Sequence, residues 1–222
     1  MEVRADLHVH TAHSTDGREA VKRVVHHAKK IGLGAIAITD HNVITAWNEA
    51  LEQAKKDDII VIRGEEVSSS EGHILAYGIT ERVRKGMTPE ETVDAIKEQG
   101  GVAVAAHPYR VSNGVGEKVV RRVDFDALES LNARSTPGRN KKALYLAQSL
   151  GLPMTGGSDA HTLEEIGAAY SIFIDVYSEE DIVRAIENGN VEPAGKAQSS
   201  GKIISQGIRK MGAWLGRGFS RI

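Results

Sequence analysis

Short apolar runs alternate with amphipathic stretches along almost the whole chain. The runs Ala35-Ile36-Ala37-Ile38, Ile59-Ile60-Val61-Ile62 with Gly64-Glu65-Glu66-Val67 following, His73 to Tyr77, Val102 to Ala106, Ala127 to Asn132 and Ser171 to Ile174 read as strands. Between them, apolar positions at helical spacing predict helices over about 18–30, 44–56, 138–150 and 179–188. Another helix opens at Thr88-Pro89-Glu90-Glu91, where a capping Thr precedes Pro at the first position and Glu stands three residues after the cap. Gly32, Gly34, Gly100 and Gly101 punctuate two of the helix ends. Strand alternating with helix argues for an α/β fold with a parallel sheet or a barrel.

Polar residues sit where such a fold would use them. Asp6-Leu7-His8-Val9-His10-Thr11 closes the first apolar run, and residues i and i+2 of an extended chain face one way, so His8 and His10 present both imidazoles to one side. His10, His41, Glu66, His107 and Asp159 each stand at or just after the carboxyl end of an apolar run. In a barrel those ends share one face, where the loops build the site. The side chains are of types that bind hard or borderline metals.

Composition narrows the chemistry. The 222 residues fit one α/β domain, and 41% hydrophobic with 26% charged residues reads as globular. Cysteine is absent, which excludes disulfides, thiolate ligands and Cys nucleophiles and leaves His, Asp and Glu for any metal. No run approaches the roughly 18 apolar residues of a membrane span, and the N-terminus lacks the plan of a signal peptide, so a cytoplasmic location is expected. From Pro193 onward there are six Lys or Arg and no acid, which leaves 22 basic against 30 acidic residues in 1–192. We therefore divide the chain into a barrel, 1–192, and a basic tail, 193–222. In the tail, Ile204, Ile208, Met211 and Leu215 recur at helical spacing beside Trp214 and Phe219, with Lys202, Arg209, Lys210 and Arg217 interspersed. It reads as a terminal helix packed on the barrel, or as a contact for nucleic-acid phosphate or an anionic membrane surface.

The joint order of His8-Val9-His10-Thr11, Asp16-Gly17, Thr39-Asp40-His41, Gly64-Glu65-Glu66-Val67-Ser68, Gly72-His73-Ile74-Leu75, His107-Pro108 and Ser158-Asp159-Ala160-His161 resembles the PHP (polymerase and histidinol phosphatase) family over about 3–175. The resemblance is to its small metal-dependent phosphoesterases. It implies a distorted (β/α)7 TIM-like barrel with two or three divalent ions, Mn, Fe or Zn. It implies that His8, His10, Glu66 and Asp159 surround one metal, that Glu66 bridges to a second held by His73 and His107, and that Asp16, His41 and His161 hold a third. The family often has His where Asp16 stands. The Gly-x-Glu pattern selects Glu66 and leaves Glu65 an ordinary strand-end charge.

The chemistry follows from the residue types. Phosphate esters resist attack because substrate and nucleophile are both anionic, and adjacent dications neutralise the one and activate a water as the other. Glu66, Asp159 and His107 would carry this reaction, and Asp40 would orient a ligand imidazole. Arg110 and Arg134 are the candidate phosphate contacts, since a guanidinium donates two hydrogen bonds at once, and Arg139 is a weaker one. The expected substrate is a phosphorylated small molecule, a nucleotide or a short nucleic-acid end. Three other readings stay open: a phosphatase of the histidinol-phosphate type, an amidohydrolase, and a non-catalytic nucleic-acid-binding module that keeps its metals for folding. His26-His27 read as helix surface, His13 as a loop residue, Asp57-Asp58 as a turn, and Gly156-Gly157 as backbone passing close to the site. Oligomeric state is not legible.

Overall fold

The computed structural model describes residues 1–197, so the helical pattern and the contacts expected of the tail lie outside the described residues. In chain order the elements are β1 (Glu2–Asp6), α1 (Val21–Lys30), β2 (Ala35–Ile38), α2 (Trp47–Asp57), β3 (Ile60–Ser69), β4 (Gly72–Tyr77), α3 (Pro89–Lys97), β5 (Val102–Ala105), α4 (Gly116–Arg122), β6 (Ala127–Asn132), α5 (Pro137–Leu150), β7 (Met154–Gly157), β8 (Ala169–Ile174), α6 (Glu179–Glu187) and β9 (Glu192–Gly195). The capping box at α3 forms: Thr88 accepts from Glu91 N, and Glu91 reaches back to Thr88 N.

These strands make one sheet in the order β7-β6-β5-β4-β3-β2-β1-β8-β9. It curls into a nearly closed, TIM-like α/β barrel. At the seam His10 N donates to Ala160 O at 2.9 Å, and the Ser171 hydroxyl both accepts from Gly156 N and donates to Gly156 O. β1, β2 and β3 run parallel, as do β5, β6 and β7, whereas β4 is antiparallel to both neighbours and β8 runs antiparallel to β1 and β9. Only Ser70 and Glu71 link β3 to β4, and two residues turn a hairpin but cannot make a parallel crossover. β9 carries the sheet beyond residue 192, into the first residues of the span read as tail.

Strand alternation divides the apolar side chains into two packed layers. Val3, Ala5, Ala35, Ala37, Ile62, Leu75, Tyr77, Val104 and Phe173 fill the interior, and Ile182 and Ile186 of α6 close its amino end. Ile36, Ile38, Val61, Ile74 and Leu128 face outward beneath the helices. The interior is thus plugged from below, and the carboxyl end of the barrel is left to polar side chains.

Candidate metal centre

Glu66 reaches the barrel interior because β3 alternates. Ile62 points inward and Val61 and Val67 outward, so the even-numbered Glu66 turns into the barrel and Glu65 away from it. Around Glu66 the structure gathers an inner group. Its Oε1 lies 2.7 Å from His73 Nδ1 and 2.9 Å from His107 Nε2. Its Oε2 lies 3.3 Å from both His8 Nε2 and His10 Nε2 and 3.0 Å from His41 Nδ1. His73 comes from the amino end of β4, and the antiparallel direction of that strand brings its first residues to the same face as the carboxyl ends of the others.

A second, outer group surrounds Asp16, whose Oδ2 lies 2.7 Å from His161 Nε2 and 3.8 Å from His41 Nε2. It borders a cavity of about 210 Å³ lined by Asp16, His41, Arg110, Ser112, Asn113, Arg134, Asp159 and His161. Arg110 donates to Asp159 Oδ2 at 2.7 Å, and Arg134 to His161 Nδ1. All nine candidate ligands and both candidate arginines therefore converge on one face. His73 and His107 both stand on Glu66 Oε1, as the resemblance implies, and His41 also joins Glu66 and His73 while His107 also stands with His8 and Asp159.

Two polar residues that the motifs did not single out hold this arrangement. Glu129, on β6, accepts from His8 Nδ1 at 2.8 Å and from His107 N at 2.9 Å. Asn132 donates to both Glu129 Oε2 and Asp159 Oδ2, each at 3.1 Å. Residues three apart on a regular strand face opposite ways, but β6 shifts register against β7 between Glu129 and Leu131, and the extra residue returns Asn132 to the interior. The sequence signal was available: a carboxylate within the apolar run Ala127-Leu128 is seldom buried without a partner.

Other placements differ from expectation. Asp40 bonds to no imidazole; its oxygens accept from Thr11 N at 2.6 Å and from the Thr11 hydroxyl at 2.7 Å, which pins the loop carrying His10. Glu65 is not a solvated strand-end charge but is fully buried, accepting from Val83 N. Three others lie as expected: His13 in its loop pairs with Thr45, His26 on the helix surface with Asp57, and Asp58 ends α2 in a left-handed turn. His107 and Asp159 have φ of +27° and +56°, an uncommon region for such side chains, and strain of this kind concentrates at functional sites. Gly157 allows the approach foreseen for it, since a Cβ there would stand 2.5 Å from His8 Cβ.

The charge states follow from these contacts. Burial by itself raises the Glu66 carboxyl, yet the surrounding imidazoles, His8 foremost, hold it well below the ordinary range. Asp159 likewise overcomes burial through Arg110 and His8. Burial lowers the His8 imidazolium, but Glu129, Glu66 and Asp159 together raise it well above its usual value. His41 falls to about 4, chiefly through burial, with His10 adding repulsion against the attraction of Glu66.

Divalent ions fit this donor set. The Nε2 atoms of His8 and His10 are buried and have no hydrogen-bond partner, though they point at Glu66. Among the described residues, four sets of three or four imidazole and carboxylate atoms each lie within 4.8 Å of one another. Orphaned lone pairs converging beside ionised carboxylates are what borderline dications require.

Comparison with known proteins agrees with this geometry. The PHP domain model matches residues 6–106 and the PHP-associated model residues 137–191. An uncharacterized protein of Methanocaldococcus jannaschii is 36% identical over 147 residues, covering 61% of this chain and 85% of that protein. A PolC-type DNA polymerase III of Clostridium perfringens is 46% identical over 66 residues, 29% of this chain but only 5% of the polymerase. The crystal structure of a two-domain protein from Bacteroides vulgatus, containing a predicted PHP-like metal-dependent phosphoesterase, superposes with a TM-score of 0.76 at 19% identity. That match covers 88% of this chain and 65% of the other, and it shows the shared fold.

Proposed function

The chain belongs to the PHP domain family, and from that premise we propose that it is a divalent-metal phosphoesterase acting on phosphate esters of nucleotides or short nucleic-acid ends. The observation that carries the proposal is the convergence of His8, His10, His41, His73 and His107 on the two oxygens of Glu66, beside a polar cavity with two arginines. These residues with Asp16, Asp159 and His161 would hold two or three ions of Mn, Fe or Zn, which would supply neutralisation of phosphate charge and activation of a water. Glu66, common to two of the inner sets, would offset the repulsion between bound dications. Arg110 and Arg134 line the same cavity as Asp16 and His41, where each guanidinium can hold non-bridging phosphate oxygens. Glu129 fixes the His8 ring through Nδ1 and leaves Nε2 directed at Glu66.

The polymerase relative favours a nucleic-acid substrate over a small sugar or amino-alcohol phosphate. The two guanidinium groups of Arg110 and Arg134 on the lining favour an anionic ester over an amide. The test is phosphate release by the metal-loaded protein from nucleotides, short RNA and DNA, histidinol phosphate and an amide panel. Release from nucleotides or strand ends that disappears in Glu66→Ala supports the reading. Hydrolysis of amides alone would replace it with the amidohydrolase one.

A further inference from the structure

The barrel is acidic as a whole, yet one sector beside the cavity carries no acid. Between Glu129 and Asp159 there is no Asp or Glu, while Arg134, Arg139, Lys141 and Lys142 fall in this span; the loop from His107 to Gly116 likewise holds Arg110 and no acid. These two segments are neighbours. Asn140 of α5 bonds to both the N–H and the carbonyl of Asn132, which ties the first turns of the helix to the carboxyl end of β6. The Lys142 ammonium lies 5.9 Å from the centroid of Tyr109, next to Arg110, and Lys141 lies 5.5 Å from the centroid of Tyr145. Glu117, the acid nearest this edge, is occupied by Tyr109 and Arg121.

The placement runs against helix electrostatics. The first turn of a helix favours acidic side chains, and the first turns of α3 and α6 have them, but α5 has no acid in its first turn and places Arg139, Lys141 and Lys142 in its first two. Positive charge there, as in the first turn of α1, adds to the amino-terminal field instead of relieving it, and an anionic partner would complement it. Lys141, Lys142 and Tyr145 are exposed, and Tyr145 is 55% accessible although it is large and apolar-bodied. Cations interleaved with two aromatic rings, Tyr145 exposed and Tyr109 half-buried, suit a strand whose phosphates and bases both need contacts.

We propose that this face, from the cavity past Tyr109 and Lys142 to Lys141 and Tyr145, is the track on which a single-stranded nucleic acid lies as its phosphorylated end enters the site. From Arg139 to Tyr145 the helix advances about 9 Å, enough for contacts beyond the terminal nucleotide. The inference rests on the phosphoesterase reading for the role of the end, but its test needs no hydrolysis, so the two can fail separately.

The test is fluorescence anisotropy of the full-length, metal-loaded protein with a labelled, hydrolysis-resistant phosphorothioate strand of about twelve nucleotides. The triple variant Lys141→Gln, Lys142→Gln, Tyr145→Ala is compared with the unaltered chain across a salt series. Charge contributed by residues 193–222 is the same in both proteins. We expect affinity for the strand to fall roughly tenfold or more and the salt slope to shrink by about 1.4, with the loss growing with strand length. Equal affinity and equal slope in the two proteins would overturn the proposal. So would a loss of binding to anionic phospholipid vesicles with strand binding intact.

Discussion

The inner and outer halves of the centre are built from the same side chains but held differently. Around Glu66, the side chains of His8, His10 and His107 are entirely buried, and Glu129, itself held by Asn132, fixes His8 and the His107 backbone from behind. Around Asp16, the carboxylate is 31% and His41 19% exposed, both on loops that border the cavity. A buried group whose orientation is already fixed loses little freedom on binding an ion, whereas partly solvated donors must be ordered first. On the proposed reading the inner group would retain its ions, and the outer one would exchange ion, water and substrate.

The sharpest way to break this contrast is to remove Glu66, which the inner sets share. Glu66→Ala should lower phosphate release on the order of a thousandfold or more and reduce bound metal measured by atomic absorption, with the circular dichroism spectrum retained. Full metal content in that variant would contradict the role of Glu66 as the shared ligand. Next in size is the support behind the ligands: Glu129→Gln should weaken metal binding about 10- to 100-fold in calorimetry, because His8 loses its charged partner. A smaller effect is expected from Asp16→Asn, about tenfold in activity with the tightly held metal unchanged. If instead Asp16→Asn empties the whole centre, the distinction between the halves is wrong.

What the sequence made legible, and what it hid, divides along similar lines. Residues at the ends of regular strands were readable, since alternation and the carboxyl-end rule fix where His10, His41, Glu66 and Asp159 must lie. Glu129 and Asn132 escaped because their shared direction depends on a bulge, and one extra residue leaves no mark in hydrophobic periodicity. The α4 helix escaped because seven residues, Gly116–Arg122, are too few to show a helical period. The reversed direction of β4 was hidden in a loop of two residues, and β9, with Pro193 inside it, did not look like a strand. The misplacement of Glu65 is instructive: its neighbour shared the motif, but the same alternation that carries Glu66 into the site drives Glu65 under the helices.

That buried carboxyl supplies the smallest and most separable prediction. Burial lifts Glu65 to about 7 from 4.5, against the pull of Val83 N and Arg82. The unfolded chain ionises near the lower value and the folded one near the higher, so this group costs stability as pH rises between them and nothing more above. Thermal melts of Glu65→Gln should therefore converge with the unaltered chain near pH 4.5 and lie above it near pH 8, by a few degrees. Parallel curves across that window would mean that Glu65 is ionised throughout, and neither outcome alters the metal centre.

The central claim is that the Glu66-centred cluster hydrolyses phosphate esters of nucleotides or strand ends. Its most direct measurement is phosphate release by the Mn-loaded protein from mononucleotides, bisphosphorylated nucleotides, short RNA and DNA, and histidinol phosphate, each beside Glu66→Ala. The account predicts selective release from nucleotides or strand ends by the unaltered chain and none by the variant. Release that survives in Glu66→Ala, or that is confined to histidinol phosphate, would contradict it.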